Sequence, residues 1–335
     1  MSKERIVVIC PGRGSYTRDT NGYLKTHGIA AKKNILWMDK KREEAELPTI
    51  SMLDKYPFKT DIHMQGGNAS PLIYACSLSD FLSIDQNRYE IVAITGNSMG
   101  WYIALALGDA LDLMDSFDLI QTMGSIMNDR IIGGQIIYPI MDDNWRIDKS
   151  LNEIIMDVKD IYVSIYLGGY LVIGGEQKVL DVLMKRLPKK DKYPYQLPFH
   201  AAFHTPLMES ISIKAMSKIN QSLFQKPSIP LVDGRGNIWT SYSSDISALY
   251  QYTLGYQVTN SYDFTSAIIV SMKEFCPDKL VLLGPGSSLG GSIGQIITQC
   301  NWLGINSKDE FKYLQKTNPY LISMGIENQR EIVSR

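Results

Sequence analysis

The pentapeptide Gly-Asn-Ser-Met-Gly at residues 96–100 most limits what this chain can fold into. The β-branched apolar run 91–95 precedes it, and the apolar run 101–107, which has the length of a short helix, follows it. This is the spacing of a nucleophile elbow, where flanking glycines let a sharp strand-to-helix turn expose a serine hydroxyl. The alternative is an ordinary structural turn, because Gly and Ser are common turn residues. The flanking strand and helix favour the elbow, with Ser98 as its nucleophile.

Strand-like and helix-like segments alternate on both sides of this turn. Residues 6–10 are a β-branched strand, and residues 68–83 and 111–127 have the character of helices. Near the C-terminus, the strand-like run 279–283 leads into a glycine-rich turn and another helical stretch. Such alternation predicts an α/β fold with a doubly wound parallel sheet.

The pattern changes between residues 133 and 199. The order of predicted elements there is β-α-β-β-α-β, which is the order of a ferredoxin-like unit. We therefore expect a discontinuous catalytic core formed by residues 1–132 and 200–315, an inserted ferredoxin-like subdomain at 133–199, and a C-terminal tail at 316–335.

Composition argues against several classes of function. The formal net charge of −1 over 335 residues disfavours bulk affinity for nucleic acid or membrane surfaces. Four histidines and four scattered cysteines have no metal-ligand or redox spacing, so we expect no metal site and no bound cofactor. No apolar run reaches the length of a membrane span, and no signal peptide is visible, so we expect a cytoplasmic protein.

A serine hydroxyl needs a neighbouring base before it becomes a useful nucleophile. The stretch Phe-His-Ala-Ala-Phe-His-Thr-Pro-Leu-Met at 199–208 offers two candidates, His200 and His204. Neither is informative by itself, because a single histidine in a globular chain is usually a packed or surface residue. What separates the two is the run that begins at Phe203.

Five segments together resemble the malonyl-CoA:acyl carrier protein transacylase family, which includes the acyltransferase domains of polyketide synthases. The family's motifs are P-G-Q-G-S, G-H-S-x-G, F-H-S-x-x-M, the start of Q-V-T-x-P-V, and G-P-G. In the same order, this chain has PGRGS at 11–15, GNSMG at 96–100, FHTPLM at 203–208, QVTN at 257–260 and GPG at 284–286. The resemblance implies an α/β-hydrolase-like core with an inserted ferredoxin-like domain.

The resemblance also implies a role for each matching residue. Ser98 would accept the acyl group, His204 would be its general base, and the backbone carbonyl of Gln257 would orient the imidazole in place of an acidic third residue. The backbone N–H groups of Arg13 and Met99 would form the oxyanion hole. One such donor is typically worth about 3 to 4 kcal/mol in the transition state.

The chain departs from the family where the family binds the malonyl carboxylate. Met123 replaces the family's arginine, and a carboxylate without a partner in a dry pocket costs several kcal/mol, so malonyl specificity is in doubt. A neutral acyl group is easier to accept beside a thioether. Further expected pocket residues are Asn97, Trp101 and Phe203, the last of which accompanies unbranched acyl units in the family. Arg13, which replaces a glutamine, either relocates the lost cation or is a solvated loop residue.

Acyl carrier proteins are usually acidic, so a docking surface for one has to be basic. The densest basic cluster lies at the end of the predicted small domain, beside the cleft, and consists of Lys185, Arg186, Lys189, Lys190 and Lys192. We call it the basic cluster. A solvated helix end is the commoner explanation of such a run, but this cluster is the best docking candidate in the chain.

The sequence thus predicts an acyltransferase of fatty acid or polyketide biosynthesis. It would move an acyl group from acyl-CoA, through an acyl-serine, to the phosphopantetheine thiol of an acyl carrier protein. One alternative is an editing hydrolase that releases the acyl group of an acyl carrier to water. Another is a catalytically silent scaffold that holds a carrier protein. The presence of both Ser98 and His204 argues against the scaffold.

Overall fold

A computed structural model of the chain describes residues 2–127 and 131–335. The strands are β1 (Glu4–Cys10), β2 (Tyr89–Gly96), β3 (Gly134–Pro139), β4 (Ile161–Leu167), β5 (Tyr170–Gly175), β6 (Tyr195–Gln196), β7 (Leu231–Val232), β8 (Ile238–Trp239), β9 (Tyr262–Asp263), β10 (Lys279–Leu282) and β11 (Leu321–Ser323). The α-helices are α1 (Tyr23–His27), α2 (Lys32–Glu44), α3 (Ile50–Lys55), α4 (Thr60–His63), α5 (Gly66–Ser83), α6 (Gly100–Leu107), α7 (Leu113–Ser125), α8 (Lys149–Met156), α9 (Gln177–Arg186), α10 (Glu209–Lys218), α11 (Ile246–Gln251), α12 (Gln257–Thr259), α13 (Phe264–Phe275), α14 (Gly290–Gln299), α15 (Lys308–Thr317) and α16 (Glu327–Val333). A π-helical turn, Tyr252–Tyr256, joins α11 to α12.

The larger sheet has six strands in the order β11-β10-β1-β2-β7-β8. Its neighbours run parallel except for the antiparallel pair β7 and β8. Residues 6–10 of β1 are fully buried, which explains why they form an unbroken apolar run rather than an alternating one. At the carboxyl ends of the two central strands, Cys10 pairs with Gly96. The loop after β1 and the turn after β2 therefore leave the sheet side by side.

The smaller sheet has five strands in the order β6-β3-β5-β4-β9. Four of them come from the segment β3-α8-β4-β5-α9-β6, the element order that the sequence predicts for this region. These four pair antiparallel, whereas β9, which follows α12 in the chain, pairs parallel with β4. The smaller sheet is thus completed by residues from outside the segment 133–199.

Residues 316–335, which we expected to be a tail, are built into the core. Strand β11 is the edge of the larger sheet. Arg330 of α16 donates hydrogen bonds to the carboxylate of Asp80 and to the hydroxyl of Tyr23, both buried. The same carboxylate accepts the backbone N–H of Gly284 at 2.7 Å. A three-residue strand leaves too little periodicity to be detected in the sequence, so only the tertiary pairing shows it.

Within the described residues, no helix combines the length and apolar character needed to cross a membrane. The same residues contain no group of three or more His, Cys, Asp or Glu side chains arranged to hold a metal ion.

Candidate active site

Ser98 lies at the turn between β2 and α6 with a φ of +56°, in the left-handed region. A non-glycine residue holds such a conformation only where its surroundings enforce it. A Cβ atom on Gly96 would lie 2.3 Å from the carbonyl carbon of Gly100, and one on Gly100 would lie 2.4 Å from the carbonyl oxygen of Cys10. Both glycines are therefore required for the turn to close against β1. This sharp strand-to-helix turn has the form that the sequence predicts.

His204 is the histidine that meets the serine. The Ser98 hydroxyl lies 2.7 Å from His204 Nε2, and His204 Nδ1 lies 2.5 Å from the carbonyl oxygen of Gln257. Because a carbonyl oxygen only accepts, Nδ1 carries the ring proton and Nε2 offers its lone pair to the serine. The arrangement can take a proton from Ser98 and later return it to a leaving group.

The imidazole of His204 is almost fully buried. Burial lowers its pKa from 6.5 to about 4, and the hydrogen bond to the Gln257 carbonyl opposes that shift only in part. The imidazole is consequently neutral, and competent as a base, throughout the neutral pH range.

The rate of Ser98 acylation should therefore be nearly constant between about pH 5.5 and 8 and should fall only as pH approaches the pKa of His204 near 4. The rate falls on the acid side because the imidazolium form cannot accept the serine proton, and burial postpones the formation of that imidazolium to low pH. Acyl-enzyme formation measured by mass spectrometry across pH 4 to 8, below saturating acyl-CoA, tests this. A half-maximal rate at pH 6.5 would contradict it.

Gln257 holds the serine as well as the histidine. Its side-chain Nε2 donates to the Ser98 carbonyl oxygen at 3.0 Å, and its Oε1 accepts the hydroxyl of Tyr102 at 3.0 Å. Tyr262 donates its hydroxyl to the carbonyl oxygen of Gly96. Sequence reasoning assigned Gln257 only a backbone role and missed both tyrosines. No local pattern marks these three side chains, because their partners are distant in sequence.

The Ser98 hydroxyl opens into a cavity of about 230 Å³ between the two sheets. Its wall is mostly apolar and includes Ile120, Met123, Ile137, Ile165, Leu167, Val172, Leu197 and Leu289. We refer to it as the inner cavity. Three of the expected pocket residues, Asn97, Met123 and Phe203, line it.

Trp101, which we expected in the pocket, does not line the inner cavity. Its indole is fully buried, donates to the Thr253 hydroxyl at 3.0 Å and packs edge-on against Tyr252. The next residue on α6, Tyr102, lines the cavity instead. Successive helical residues point in directions about 100° apart, so a shift of one position exchanges a pocket residue for a core residue.

Arg13 and Met99 both line the inner cavity. Among the described residues, neither backbone N–H has a hydrogen-bond acceptor. The pairing of Cys10 with Gly96 brings together the two loops that carry these N–H groups. Their role as an oxyanion hole stays a prediction.

The Arg13 side chain is not a solvated loop residue. Its Nη2 donates to the carbonyl oxygens of Met64 and Phe199 at 3.0 and 2.9 Å, and its Nε is buried without a partner among the described residues. Burial lowers the pKa of the guanidinium to about 10, so it remains charged at neutral pH. No described carboxylate pairs with it.

The basic cluster lies at and beyond the C-terminal end of α9, and the structure divides it into two groups. Arg186 pairs with Asp157 at 2.9 Å, and Lys190 donates to the carbonyl oxygen of Met141 at 2.8 Å. The other three members, Lys185, Lys189 and Lys192, are exposed. Lys192 lies over the ring of Tyr193, 5.5 Å from its centroid, so Lys185 and Lys189 are the two members with no ion-pair or cation–π partner among the described residues.

Fold and site together define a class of protein: a mixed α/β chain in which a serine at a sharp strand-to-helix turn contacts a buried histidine. No protein-family model matches the chain, and no curated protein matches it. Several solved structures, however, match the fold of the chain. A malonyl-CoA:ACP transacylase of Synechocystis sp. PCC 6803 superimposes with a TM-score of 0.76 at 15% identity, covering 98% of this chain and 100% of its own. The Helicobacter pylori malonyl-CoA:acyl carrier protein transacylase gives 0.74 at 15% identity, covering 98% and 97%.

A third structure contains a type II polyketide synthase acyl-carrier protein in complex with its malonyl-transacylase. It superimposes with a TM-score of 0.74 at 16% identity, with 98% of each chain covered. The resemblance noted from five short segments of sequence thus extends to the fold of nearly the whole chain. This chain has the fold of the malonyl-CoA:acyl carrier protein transacylases.

Proposed function

We propose that this chain is an acyl-CoA:acyl carrier protein S-acyltransferase. Ser98 would attack the thioester of an acyl-CoA while His204 takes its proton, and the departing thiol would leave with that proton. The acyl-serine would then pass its acyl group to the phosphopantetheine thiol of a carrier protein, in fatty acid or polyketide biosynthesis. The observation that carries the proposal is the hydrogen-bonded series from Ser98 through His204 to the Gln257 carbonyl.

We also propose the division into units that the family resemblance implies. Residues 1–132 and 200–315 would form an α/β-hydrolase-like core, and residues 133–199 an inserted ferredoxin-like subdomain. The parallel order of the larger sheet and the β6-β3-β5-β4 order of the smaller one support this division. The inner cavity lies between the two units, where a substrate is enclosed by both.

Transfer to a carrier is tested by following the fate of the acyl-serine. Enzyme loaded with labelled acyl-CoA and mixed with phosphopantetheinylated carrier protein should pass label to the carrier faster than to free acid. The double charge reversal K185E/K189E should slow this step, with an effect that fades as salt is added, because exposed charges act mainly by steering. K32E/K33E, which makes the same charge change at two exposed lysines of α2 outside the basic cluster, is the matched control. Label released mainly as free acid, with carrier in excess, would favour the hydrolase.

For the acyl group, we propose that a neutral, unbranched chain is preferred over malonyl. Met123 occupies the place of the family's carboxylate-binding arginine, it is buried, and it faces a mostly apolar wall. Arg13 is the remaining cation of the inner cavity among the residues described, and it already donates to two backbone carbonyls.

Acetyl-CoA should therefore load Ser98 faster than malonyl-CoA, and Met123→Arg should raise malonyl loading by about tenfold or more, because a guanidinium binds a carboxylate through paired hydrogen bonds. Met123→Leu is the matched control, since it changes the side chain without adding charge. Loading is measured with both thioesters on each variant. A wild-type preference for malonyl that disappears in Arg13→Ala would show that the cation has moved to Arg13. A malonyl preference that survives Arg13→Ala would contradict the proposed pocket.

A further inference from the structure

His200, the second histidine of the 199–208 stretch, faces the inner cavity but takes no part in the contacts between Ser98 and His204. Its Nδ1 lies 3.0 Å from Oε1 of Gln135. The Nε2 amide of Gln135 donates to the Ser164 hydroxyl at 2.6 Å and to the Phe203 carbonyl oxygen at 3.2 Å. A carbonyl oxygen accepts only, so the orientation of the Gln135 amide is fixed by its partners.

That orientation also fixes the tautomer of His200. Because Oε1 of Gln135 accepts, His200 Nδ1 must carry the proton, and Nε2 keeps an unshared lone pair. No described residue donates to that lone pair. Burial, together with the nearby Arg13 and His204, holds the pKa of His200 well below its usual range, so the ring is neutral. His200 therefore presents a hydrogen-bond acceptor of fixed direction.

The position of His200 indicates what that acceptor would meet. A surface groove of about 670 Å³ adjoins the inner cavity, and His200 and Leu197 line both. We call it the outer groove; its other lining residues include Ile132, Gly133, Gln177, Pro198, Phe199 and Leu207. Any thioester that reaches Ser98 from the surface through this groove passes His200 at the junction.

Resting on the proposed function, we propose that the outer groove holds the pantetheine arm of the substrate and that His200 Nε2 accepts a hydrogen bond from the amide N–H nearest the sulfur. That nitrogen is two carbons from the sulfur, so it enters the junction as the thioester enters the inner cavity. CoA and a phosphopantetheinylated carrier share this part of the arm. His200 is thus a positioning residue for both substrates, distinct from the base His204.

The test compares two small acetyl donors of equal length, the S-acetyl thioesters of 2-acetamidoethanethiol and 2-acetoxyethanethiol. They differ only in an N–H replaced by an oxygen. Wild-type enzyme should form the Ser98 acetyl adduct about 5 to 10 times faster from the amide donor, the value of one neutral hydrogen bond. In His200→Phe the ratio of the two rates should fall to about 1. In His200→Gln, which keeps an acceptor, much of the preference should remain.

The ratio of the acetylation rates with the two donors is insensitive to a general loss of active protein. If His200→Phe does not fold, His200→Ala replaces it in the same comparison. His27→Phe, a histidine substitution away from the site, should retain the wild-type ratio. Loading from acetyl-CoA and transfer to holo-carrier protein, measured separately, should both slow in His200→Phe. A ratio that is the same in wild type and His200→Phe would overturn the inference while leaving acylation itself intact. Absence of any Ser98 adduct with both donors and with acetyl-CoA would instead overturn the proposed function, and this inference with it.

Discussion

Ser98→Ala is expected to abolish the covalent acyl adduct that wild-type enzyme forms with acyl-CoA. His204→Ala is expected to slow adduct formation by roughly 10⁴-fold or more, because an unassisted serine hydroxyl is almost entirely protonated and a weak nucleophile. The 2.7 Å contact between the hydroxyl and Nε2 is the physical basis of the second effect. Intact-protein mass spectrometry measures both, since the adduct adds the mass of the acyl group.

Two matched variants act as controls for these losses. Ser222→Ala removes an exposed serine hydroxyl far from the site in sequence, and His27→Ala removes a histidine outside the inner cavity. Both should acylate at the wild-type rate. An adduct of undiminished yield on Ser98→Ala would mean that another residue is the nucleophile. Normal acylation of His204→Ala would show that the base lies elsewhere.

Gly100→Ala is expected to lower the free energy of unfolding by about 3 kcal/mol or more, or to prevent folding. The added Cβ would lie 2.4 Å from the carbonyl oxygen of Cys10 and 2.8 Å from that of Pro11. Both contacts are with backbone, which cannot rotate away as a side chain can, so the elbow would have to separate from β1. Overpacking of a well-packed interior costs about 1 to 3 kcal/mol and occasionally more.

Urea unfolding measures this loss against Gly290→Ala. Gly290 is the first residue of α14, and a Cβ atom there meets no heavy atom within 4 Å. That substitution should be neutral or stabilising by up to about 1 kcal/mol, because alanine restricts the unfolded chain. Equal unfolding midpoints for the two variants would contradict the close approach of the elbow to β1. Unimpaired acylation of Gly100→Ala would contradict its importance for the site.

The local sequence pattern was sufficient to predict a helix or strand where that element is buried on both faces or is bounded by distinctive turn residues. The strand before the elbow, expected at 91–95, spans Tyr89–Gly96, and the helix expected at 68–83 spans Gly66–Ser83. Between residues 133 and 199, the order of two helices and four strands follows from alternation and from the glycine pair between β4 and β5. The short helices α1 to α4 were not predicted, because each is too short or too polar to give a clear helical period.

The two residues proposed for catalysis were found before the structure, but for different reasons. Ser98 was proposed from the spacing of the elbow together with the strand and helix that flank it, all of which are local features of the sequence. His204 was preferred over His200 through a family resemblance, because two histidines four residues apart look alike in sequence. Only the fold brings His204 to 2.7 Å from a serine 106 residues away and turns His200 toward Gln135 and the outer groove.

The sequence by itself determined the α/β class, the position of the strand-to-helix turn at 96–100 and the order of elements between residues 133 and 199. These depend on residue type and on neighbours within a turn or two of the chain. The tertiary structure alone decided that Arg13 faces the inner cavity, that Trp101 belongs to the core, and that the last residues close the larger sheet. It also placed the Gln257 side chain against the Ser98 carbonyl oxygen, and it placed His200 Nδ1 against Gln135, which leaves the lone pair of His200 Nε2 unshared. The physical reason is that the direction of a side chain and the identity of its partners are set by helices and strands that come into contact only when the chain folds. Periodicity along the sequence does not encode those long-range contacts.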